Sequence, residues 1–332
     1  MVKIIKNSAW DIIYDRRENK TYSESLKKYL NCLDPLFEKA KAMEEFDFIC
    51  TLLRVRSLQD AGWDPWENTL SAGKKLYNLQ KRIKDFETVR HLFLWLYGHI
   101  VEASEPYETI ANMLNIVDGR TFITSNFSDK KRGRYFVPQS PSEKIDTLGD
   151  MAKKVNMPDV VVPFQDVFDR ELRNAIFHSD YVLYDGKVRL LRGFSKEYSH
   201  NEVQAILNKA LAYINTFETL ISYHVSSYKT PKLVRMYPKH TQVADEEAIT
   251  ILRKGHGVIG LQSNWSVEEV RQGQILARIG RFTRRESKML ENNPENVMMP
   301  PDYRKKINMI LPFLPGFIRK WIVAIINKYE WI

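Results

Sequence analysis

Residues 199–223, SHNEVQAILNKALAYINTFETLISY, are the stretch that decides the fold class of this chain. Ser199 and Glu202 match a capping box, in which the serine hydroxyl accepts a hydrogen bond from the glutamate N–H and the glutamate carboxylate accepts one from the serine N–H. The apolar residues that follow recur at helical spacing. The sequence therefore predicts one long helix that begins at this box and runs through Tyr223.

The same spacing extends over most of residues 21–228, with few strand-like alternations, so helices should dominate this region. Residues 36–58 carry apolar side chains at helical intervals. Residues 90–101 are apolar nearly all round, as in a buried central helix. Ser140, with a proline directly after it, predicts a further helix start.

Two short segments depart from the helical pattern. Residues 181–191 contain Asp185-Gly186, a pair that suits the positive φ angles of a type I′ turn, and should form a small β-hairpin beside the helices. Residues 125–142 are polar, basic and contain glycine, which predicts a mobile loop. Such a loop either contacts phosphates or is merely solvated.

The composition is that of a folded protein with two domains. The chain has 332 residues, of which 44% are hydrophobic and 27% charged, and these values are ordinary for globular proteins. Residues 1–14 mix charged residues with apolar ones, so we expect no signal peptide. No apolar run approaches the roughly 20 residues of a membrane-spanning helix. The chain has only two cysteines, Cys32 and Cys50, which are too few for a disulfide framework or a cysteine-based zinc site. We expect both to be reduced and buried in a cytoplasmic protein.

Basic residues are concentrated in the C-terminal third. Residues 229–332 hold 18 Lys and Arg against 10 Asp and Glu, whereas the preceding residues are nearly balanced, and the whole chain has a net charge of +9. Pro231 and Pro238 interrupt the helical phasing at this point. We predict a helical domain over residues 1–228, with the first 20 residues as an extension, and a smaller basic domain over residues 229–332.

The basic domain is predicted to be mixed α/β. A helix over residues 245–254 should end at the glycine that follows, a strand should run over 258–261, and a second capped helix should span 266–279. The GxGxxG spacing of residues 255–260 fits a dinucleotide-binding pattern. Because it follows a predicted helix instead of a strand, we interpret it as a helix end and a strand.

A basic surface favours a polyanionic partner, since each phosphate that Lys or Arg neutralises releases condensed counterions. Nucleic acid and an anionic membrane surface both meet this description, and a solvated face without a partner is the third interpretation. Residues 317–328 alternate apolar and basic residues and could lie on anionic lipid, although such a helix more often docks on its own domain. Membrane association is the less favoured alternative.

Residues 167–178, VFDRELRNAIFH, should form an amphipathic helix whose larger apolar residues face the core. Asn174 and His178 are four positions apart and share a face of this helix. Arg173 lies about 100° round the helix from Asn174 and can reach the same cleft. The apolar stripe consists of Phe168, Leu172 and Ile176.

These polar side chains are the types that metal-free RNA cleavage requires. RNA supplies its own nucleophile, the 2′-hydroxyl, so the protein has to provide a proton acceptor that works near neutral pH and a positive charge for the developing phosphorane. An imidazole such as that of His178 suits the first task. The planar guanidinium of Arg173 can bind two phosphate oxygens, and Asn174 can orient either group. DNA lacks the hydroxyl and would not be cleaved.

The segment 172–181, LRNAIFHSDY, resembles the signature of the HEPN family, in which an arginine, usually followed by a polar residue, precedes a histidine by a few positions. The resemblance covers residues 21–228. It implies an HEPN-like helical bundle, a homodimer that sets two Arg/His pairs around one cleft, and in active members a metal-independent endoribonuclease without a cofactor. Such enzymes often act in antiviral defence or in toxin-antitoxin systems, where an antitoxin would be the protein partner. By this resemblance Arg173 and His178 are catalytic, and Asn174 supports them.

Other interpretations of the motif stay open. A non-catalytic HEPN-like module would use the same residues to hold a nucleotide, RNA or another protein. In the plainest interpretation, Arg173 and His178 hydrogen-bond the carbonyls at the helix end and stabilise the junction with the hairpin. Arg235 and His240 share the spacing, but a proline lies between them and no asparagine follows the arginine, so we discard that pair.

No metal site is assigned from the sequence. His91 and His99 lie eight apart without acidic or thiol residues at ligand spacing, so we interpret them as core or capping residues. The helix dipole favours acidic residues in the first turns of a helix, and Asp166, Asp169 and Glu171 are interpreted in this way.

Overall fold

The computed structural model describes residues 19–54, 65–191, 196–235 and 247–263. The chain divides into two compact units, Met1–Asn264 and Trp265–Ile332, so all of these residues belong to the first unit. The boundary predicted at residues 228/229 lies inside that unit. The predictions for residues 1–14, 266–279 and 317–328 fall outside the described residues.

The described part of the chain is mostly helical, as the sequence predicts. Its α-helices are α1 (Lys20–Met43), α2 (Glu45–Leu52), α3 (Pro65–Gln80), α4 (Phe86–Glu102), α5 (Ser104–Val117), α6 (Pro141–Lys154), α7 (Val162–Val167), α8 (Arg170–His178) and α9 (His200–Ser227), and a short 3-10 helix (Pro158–Val161) precedes α7. Ser140 and Ser199 both begin a capping box, so the predicted starts of α6 and α9 are confirmed. The buried central helix predicted over residues 90–101 is confirmed as part of α4.

Short antiparallel strands form three small sheets in the same part of the chain. The strands are β1 (Lys130–Arg132), β2 (Tyr135–Val137), β3 (Tyr181–Tyr184), β4 (Lys187–Leu190), β5 (Glu197–Tyr198), β6 (Leu233–Arg235), β7 (Glu247–Arg253) and β8 (Gly257–Ser263). β1 pairs with β2, β4 lies between β3 and β5, and β7 lies between β6 and β8. The predicted hairpin is confirmed, because Asp185 and Gly186 both have positive φ and join β3 to β4.

The hydrophobic core is centred on α9, which packs against α1, α4 and α7. Phe164 of α7 and Tyr213 and Phe217 of α9 are almost completely buried. Their rings meet edge to face at centroid distances of 5.4, 5.9 and 5.1 Å, and burial of one such ring contributes about 1.5–3 kcal/mol. The same core holds α4 in place, and α4 in turn packs against α8.

The bounds of the helix predicted over residues 36–58 are wrong. Its first part belongs to α1 and its second part to α2, and the two helices are separated at Glu44. Glu44 has an extended backbone, and its carboxylate accepts a hydrogen bond from the N–H of Phe46 at 3.3 Å. It therefore caps a new helix, although the apolar spacing continues across the break.

The helix predicted over residues 245–254 is also wrong, since β7 occupies residues 247–253. Side chains from Ala248 to Ile251 alternate between buried and exposed, and a run with β-branched residues at this period favours a strand. The GxGxxG spacing of residues 255–260 thus follows a strand, and its first two glycines lie at the turn between β7 and β8. The strand predicted over 258–261 is confirmed as part of β8.

Residues 125–142, predicted to be a mobile loop, contain the β1–β2 hairpin instead. Phe127 is buried. Asn126 donates from its backbone N–H and its Nδ2 to the carboxylate of Glu108, at 2.8 and 2.9 Å. The segment is therefore anchored to α5 ahead of its exposed hairpin.

The β6–β8 sheet packs against α2 and the C-terminal end of α9. Gly257 has a φ of +93°, and a Cβ at this position would lie 2.0 Å from the carbonyl oxygen of Val225. A second apolar cluster joins these elements and consists of Ile49, Tyr228, Val234, Ala248 and Val258. Residues on both sides of the predicted boundary at 228/229 thus share one cluster.

Both cysteines are free thiols; Cys50 is buried and Cys32 is half-buried. Burial raises the pKa of the Cys50 thiol to about 12, which keeps it protonated at neutral pH. Among the residues that the structure describes, no helix is both long enough and apolar enough to cross a bilayer.

Candidate functional site

The Arg/His motif lies on α8, which is shorter than the helix predicted over residues 167–178. α7 ends at Val167 and α8 begins at Arg170. Asp169 lies between them with an extended backbone, and its carboxylate accepts a hydrogen bond from the N–H of Leu172 at 3.0 Å. Asp169 is thus the N-cap of α8, and the prediction of one continuous helix is wrong because this cap starts a new one.

Asp169 also connects α8 to two other elements. Its carboxylate accepts hydrogen bonds from the Tyr198 hydroxyl at 2.7 Å and the Lys196 Nζ at 3.1 Å, and its N–H donates to the Tyr97 hydroxyl oxygen at 2.8 Å. Burial opposes ionisation of this carboxyl, but the hydrogen bonds outweigh it, so the pKa of Asp169 lies below its ordinary value. The N-terminal end of α8 is fixed in this way against α4 and the strand β5.

The apolar face of α8 packs on α4. Leu172 and Ile176 are buried, as predicted, and Phe168 packs against the core from the segment before the helix. A Cβ on Gly98 of α4 would lie 3.1 Å from the Phe177 ring. The absence of a side chain at this glycine therefore permits the close approach of the two helices, which brings the C-terminal end of α4 beside the motif.

The Arg173 guanidinium is held by side chains from two helices. Its Nε and Nη2 both face one carboxylate oxygen of Glu102, at the end of α4. Its Nη1 donates to the Asn174 Oδ1 at 2.9 Å, and the group lies 5.1 Å from the centroid of the Phe177 ring. The side chain keeps 22% of its surface exposed. Arg173 and Asn174 are thus brought together, with a carboxylate that offsets the positive charge.

His178 is the last residue of α8 and is exposed to solvent. Its ring makes no hydrogen bond to any residue that the structure describes. The carbonyls of residues 175 and 176 accept instead from the backbone N–H groups of residues 180 and 179, at 2.9 and 3.3 Å. The interpretation in which Arg173 and His178 cap these carbonyls is therefore wrong.

Glu102 also lines an open cavity of about 250 Å³. The cavity is lined by Trp66, Thr69, His99, Glu102, Ala103, Ser104 and Glu105. Pockets for small organic ligands usually have about 300–1,000 Å³, so this cavity is small for a whole nucleotide.

The remaining sequence candidates are engaged with the protein itself. The ring Nδ1 of His91 lies 2.7 Å from the Tyr181 hydroxyl oxygen, and the Nε2 of His99 lies 3.3 Å from the carbonyl oxygen of Thr69. Asp166 accepts hydrogen bonds at 2.7–3.1 Å. Its donors are Lys28, Tyr29 and Lys209. These contacts are structural and leave the Arg/His pair as the candidate site.

Glu102 is the site residue that sequence reasoning missed. It lies 71 positions before Arg173 in the chain, and no local spacing connects the two. A carboxylate at the end of a buried helix, next to a cleft, is the only signal that could have suggested it.

Comparison of the chain with protein-family models, with curated proteins and with solved structures found no match.

Proposed function

We propose that this protein is a metal-independent endoribonuclease of HEPN type, which cleaves RNA through attack of the RNA 2′-hydroxyl. One observation carries the proposal: an exposed imidazole, that of His178, lies on the same short helix as Arg173 and on the same face as Asn174. The reaction needs a solvent-open proton acceptor and a guanidinium that can reach the same phosphodiester.

In the proposed reaction, His178 takes the proton from the 2′-hydroxyl. The 2′-oxygen then bonds to phosphorus, and the bond from phosphorus to the 5′-oxygen breaks. The leaving 5′-oxygen takes up a proton from solvent or from the second His178 of a homodimer. The products are a 2′,3′-cyclic phosphate and a 5′-hydroxyl.

Arg173 would stabilise the negative charge of the phosphorane. A guanidinium has five N–H donors, and the contacts with Glu102 and Asn174 use three of them. The remaining N–H groups can donate to phosphate while Glu102 fixes the plane of the group. In this proposal Glu102 is a positioning residue that holds the guanidinium in one orientation.

The charge distribution supports RNA as the partner. The chain has a net charge of +9, concentrated after residue 228, and a basic surface binds the RNA backbone by counterion release. We propose that residues 229–332 bind RNA or sense a trigger, that the protein acts as a cytoplasmic homodimer, and that its role lies in defence or beside an antitoxin.

The test uses the purified full-length protein and single-stranded RNA in the presence of EDTA. The parent should release 2′,3′-cyclic phosphate ends and leave DNA intact, and H178A should cut at least about 100-fold more slowly because general base catalysis is lost. The matched control is H256A, which removes an exposed histidine from the β7–β8 turn. Equal rates for H178A and the parent would refute the assignment.

A second candidate is a non-catalytic HEPN-like binding module. It is favoured by one observation, the engagement of Arg173 by Glu102, Asn174 and Phe177, which is also what a structural arginine would show. This alternative predicts RNA binding that is unchanged in H178A, with no cleavage by either protein.

A further inference from the structure

His224 of α9 is a histidine buried in the core. Its exposed fraction is 0%, and neither ring nitrogen has a partner among the described residues. Buried polar groups are nearly always satisfied, so an orphaned imidazole requires an explanation. The ring is stacked on Phe37 at 5.5 Å and meets Phe48 edge to face at 5.2 Å, which fixes its orientation.

Two carboxylates from α1 face this ring of α9. Asp34 and Glu38 are four positions apart on one face of α1, and their oxygens and a His224 nitrogen lie within 4.8 Å of one another. The His224 Nε2 is 3.9 Å from a Glu38 oxygen, beyond hydrogen-bond distance. One oxygen of Asp34 is also buried without a partner among the described residues.

The charges of the cluster suit a cation. A metal ion binds the neutral form of an imidazole through a ring nitrogen, and neither nitrogen of His224 has a hydrogen-bond partner among the described residues. The carboxylates of Asp34 and Glu38 place oxygens within 4.8 Å of each other, and a cation between them would relieve the repulsion of their like charges. Lys41 is the opposing charge, but its Nζ lies 5.0 Å from the Tyr228 ring centroid and 3.3 Å from the Ser227 hydroxyl oxygen.

We propose that Asp34, Glu38 and His224 bind a divalent transition metal ion of the Zn²⁺ class, which links α1 to α9. The set contains one imidazole nitrogen, a ligand that suits Zn²⁺ and other transition metals, and it differs in this from the all-oxygen sets of Ca²⁺ and Mg²⁺. Ligand atoms around tetrahedral zinc lie roughly 3.3 Å apart, so the ligand atoms have to approach one another by up to about 1.5 Å. The Glu38 side chain is 58% exposed and can supply this movement.

This site shares no residue with the proposed ribonuclease site and does not depend on that proposal. Since the metal would stabilise the α1–α9 pair, EDTA should lower the thermal stability of the protein without removing the groups proposed for cleavage.

The experiment titrates metal-free full-length protein with Zn²⁺ by calorimetry and with Co²⁺ by visible absorption, whose d–d bands report tetrahedral ligation. We expect one ion per chain and a higher melting temperature with Zn²⁺. E38Q and D34N should each weaken binding at least about tenfold, since loss of even a second-shell partner has an effect of this size. E24Q is the matched control, an exposed carboxylate elsewhere on α1.

H224F keeps an aromatic ring against Phe37 and removes the nitrogen ligand, so it should fold and fail to bind Co²⁺. If H224F does not fold, the metal affinities of E38Q and D34N still test the proposal. The proposal is overturned if the parent binds neither ion saturably, or if E38Q and D34N bind as tightly as E24Q.

Discussion

Replacing Asp169 by alanine should destabilise the protein by about 1.5–5 kcal/mol in the free energy of unfolding. Loss of an N-cap costs about 0.5–2 kcal/mol. The buried Tyr198 hydroxyl would lose the acceptor that lies 2.7 Å away, at a cost of about 1–3 kcal/mol. Lys196 is 45% exposed, so its ion pair with Asp169 adds little.

The assay is thermal and urea unfolding of the full-length protein followed by circular dichroism. For a domain of about this size, the expected loss corresponds to a fall of about 3–20 °C in the melting temperature. D150A is the matched control, since Asp150 is an aspartate with 81% of its side chain exposed. D169N keeps an oxygen for the Leu172 N–H and should fall between D169A and the parent. A loss below about 0.5 kcal/mol in D169A would refute the reasoning, since changes of that size are ordinary for surface positions.

The pH dependence follows from the direction of the Asp169 pKa shift. Its pKa is lower in the folded protein than in an unfolded chain, where an aspartate titrates near about 3.9. The ionised carboxylate therefore contributes its full stability above that pH, and the contribution is lost as the pH falls through the folded pKa. The difference in stability between the parent and D169N should be largest at neutral pH and should shrink below about pH 4.

Three further substitutions test other contacts. E102Q should slow RNA cleavage by about 10- to 100-fold, because Arg173 loses its fixed orientation. An unchanged rate would show that Glu102 does not position Arg173 for cleavage. G257A should lower the free energy of unfolding in urea by more than about 2 kcal/mol, because its Cβ would overlap the Val225 carbonyl. Its control is G255A, where φ is also positive but no atom lies within 4 Å of the added Cβ, and this variant should lose only about 1–2 kcal/mol. G98A should cost less than about 1.5 kcal/mol if the Phe177 ring yields by a few tenths of an ångström, and a larger loss would mean that the α4–α8 contact is rigid.

The elements that the sequence predicts correctly have local signals. The capping boxes at Ser140 and Ser199 and the turn at Asp185-Gly186 depend on side chains within a few positions of each other. Such interactions act wherever the segment lies in the fold. The mainly α class follows from these signals and from the apolar spacing between them.

The wrong predictions have tertiary causes. Glu44 and Asp169 interrupt segments whose apolar spacing continues, because the chain has to change direction to pack on α5 and α4. The strand β7 differs from its predicted helix because its run of five apolar or β-branched residues, 248–252, carries no clear period. The partnership of Glu102 with Arg173 spans 71 positions, so only the packing of α4 on α8 reveals it.

The apolar cluster shared across residue 228 determines how the protein can be shortened. A fragment that stops at Tyr228 would lose Val234 and Val258 and leave Ile49 facing water, and newly exposed apolar surface promotes aggregation. A fragment that ends at Asn264, where the first compact unit ends, retains Val234 and Val258, so that Ile49 stays buried. The longer fragment is therefore the one in which to express the Arg/His motif apart from the C-terminal residues.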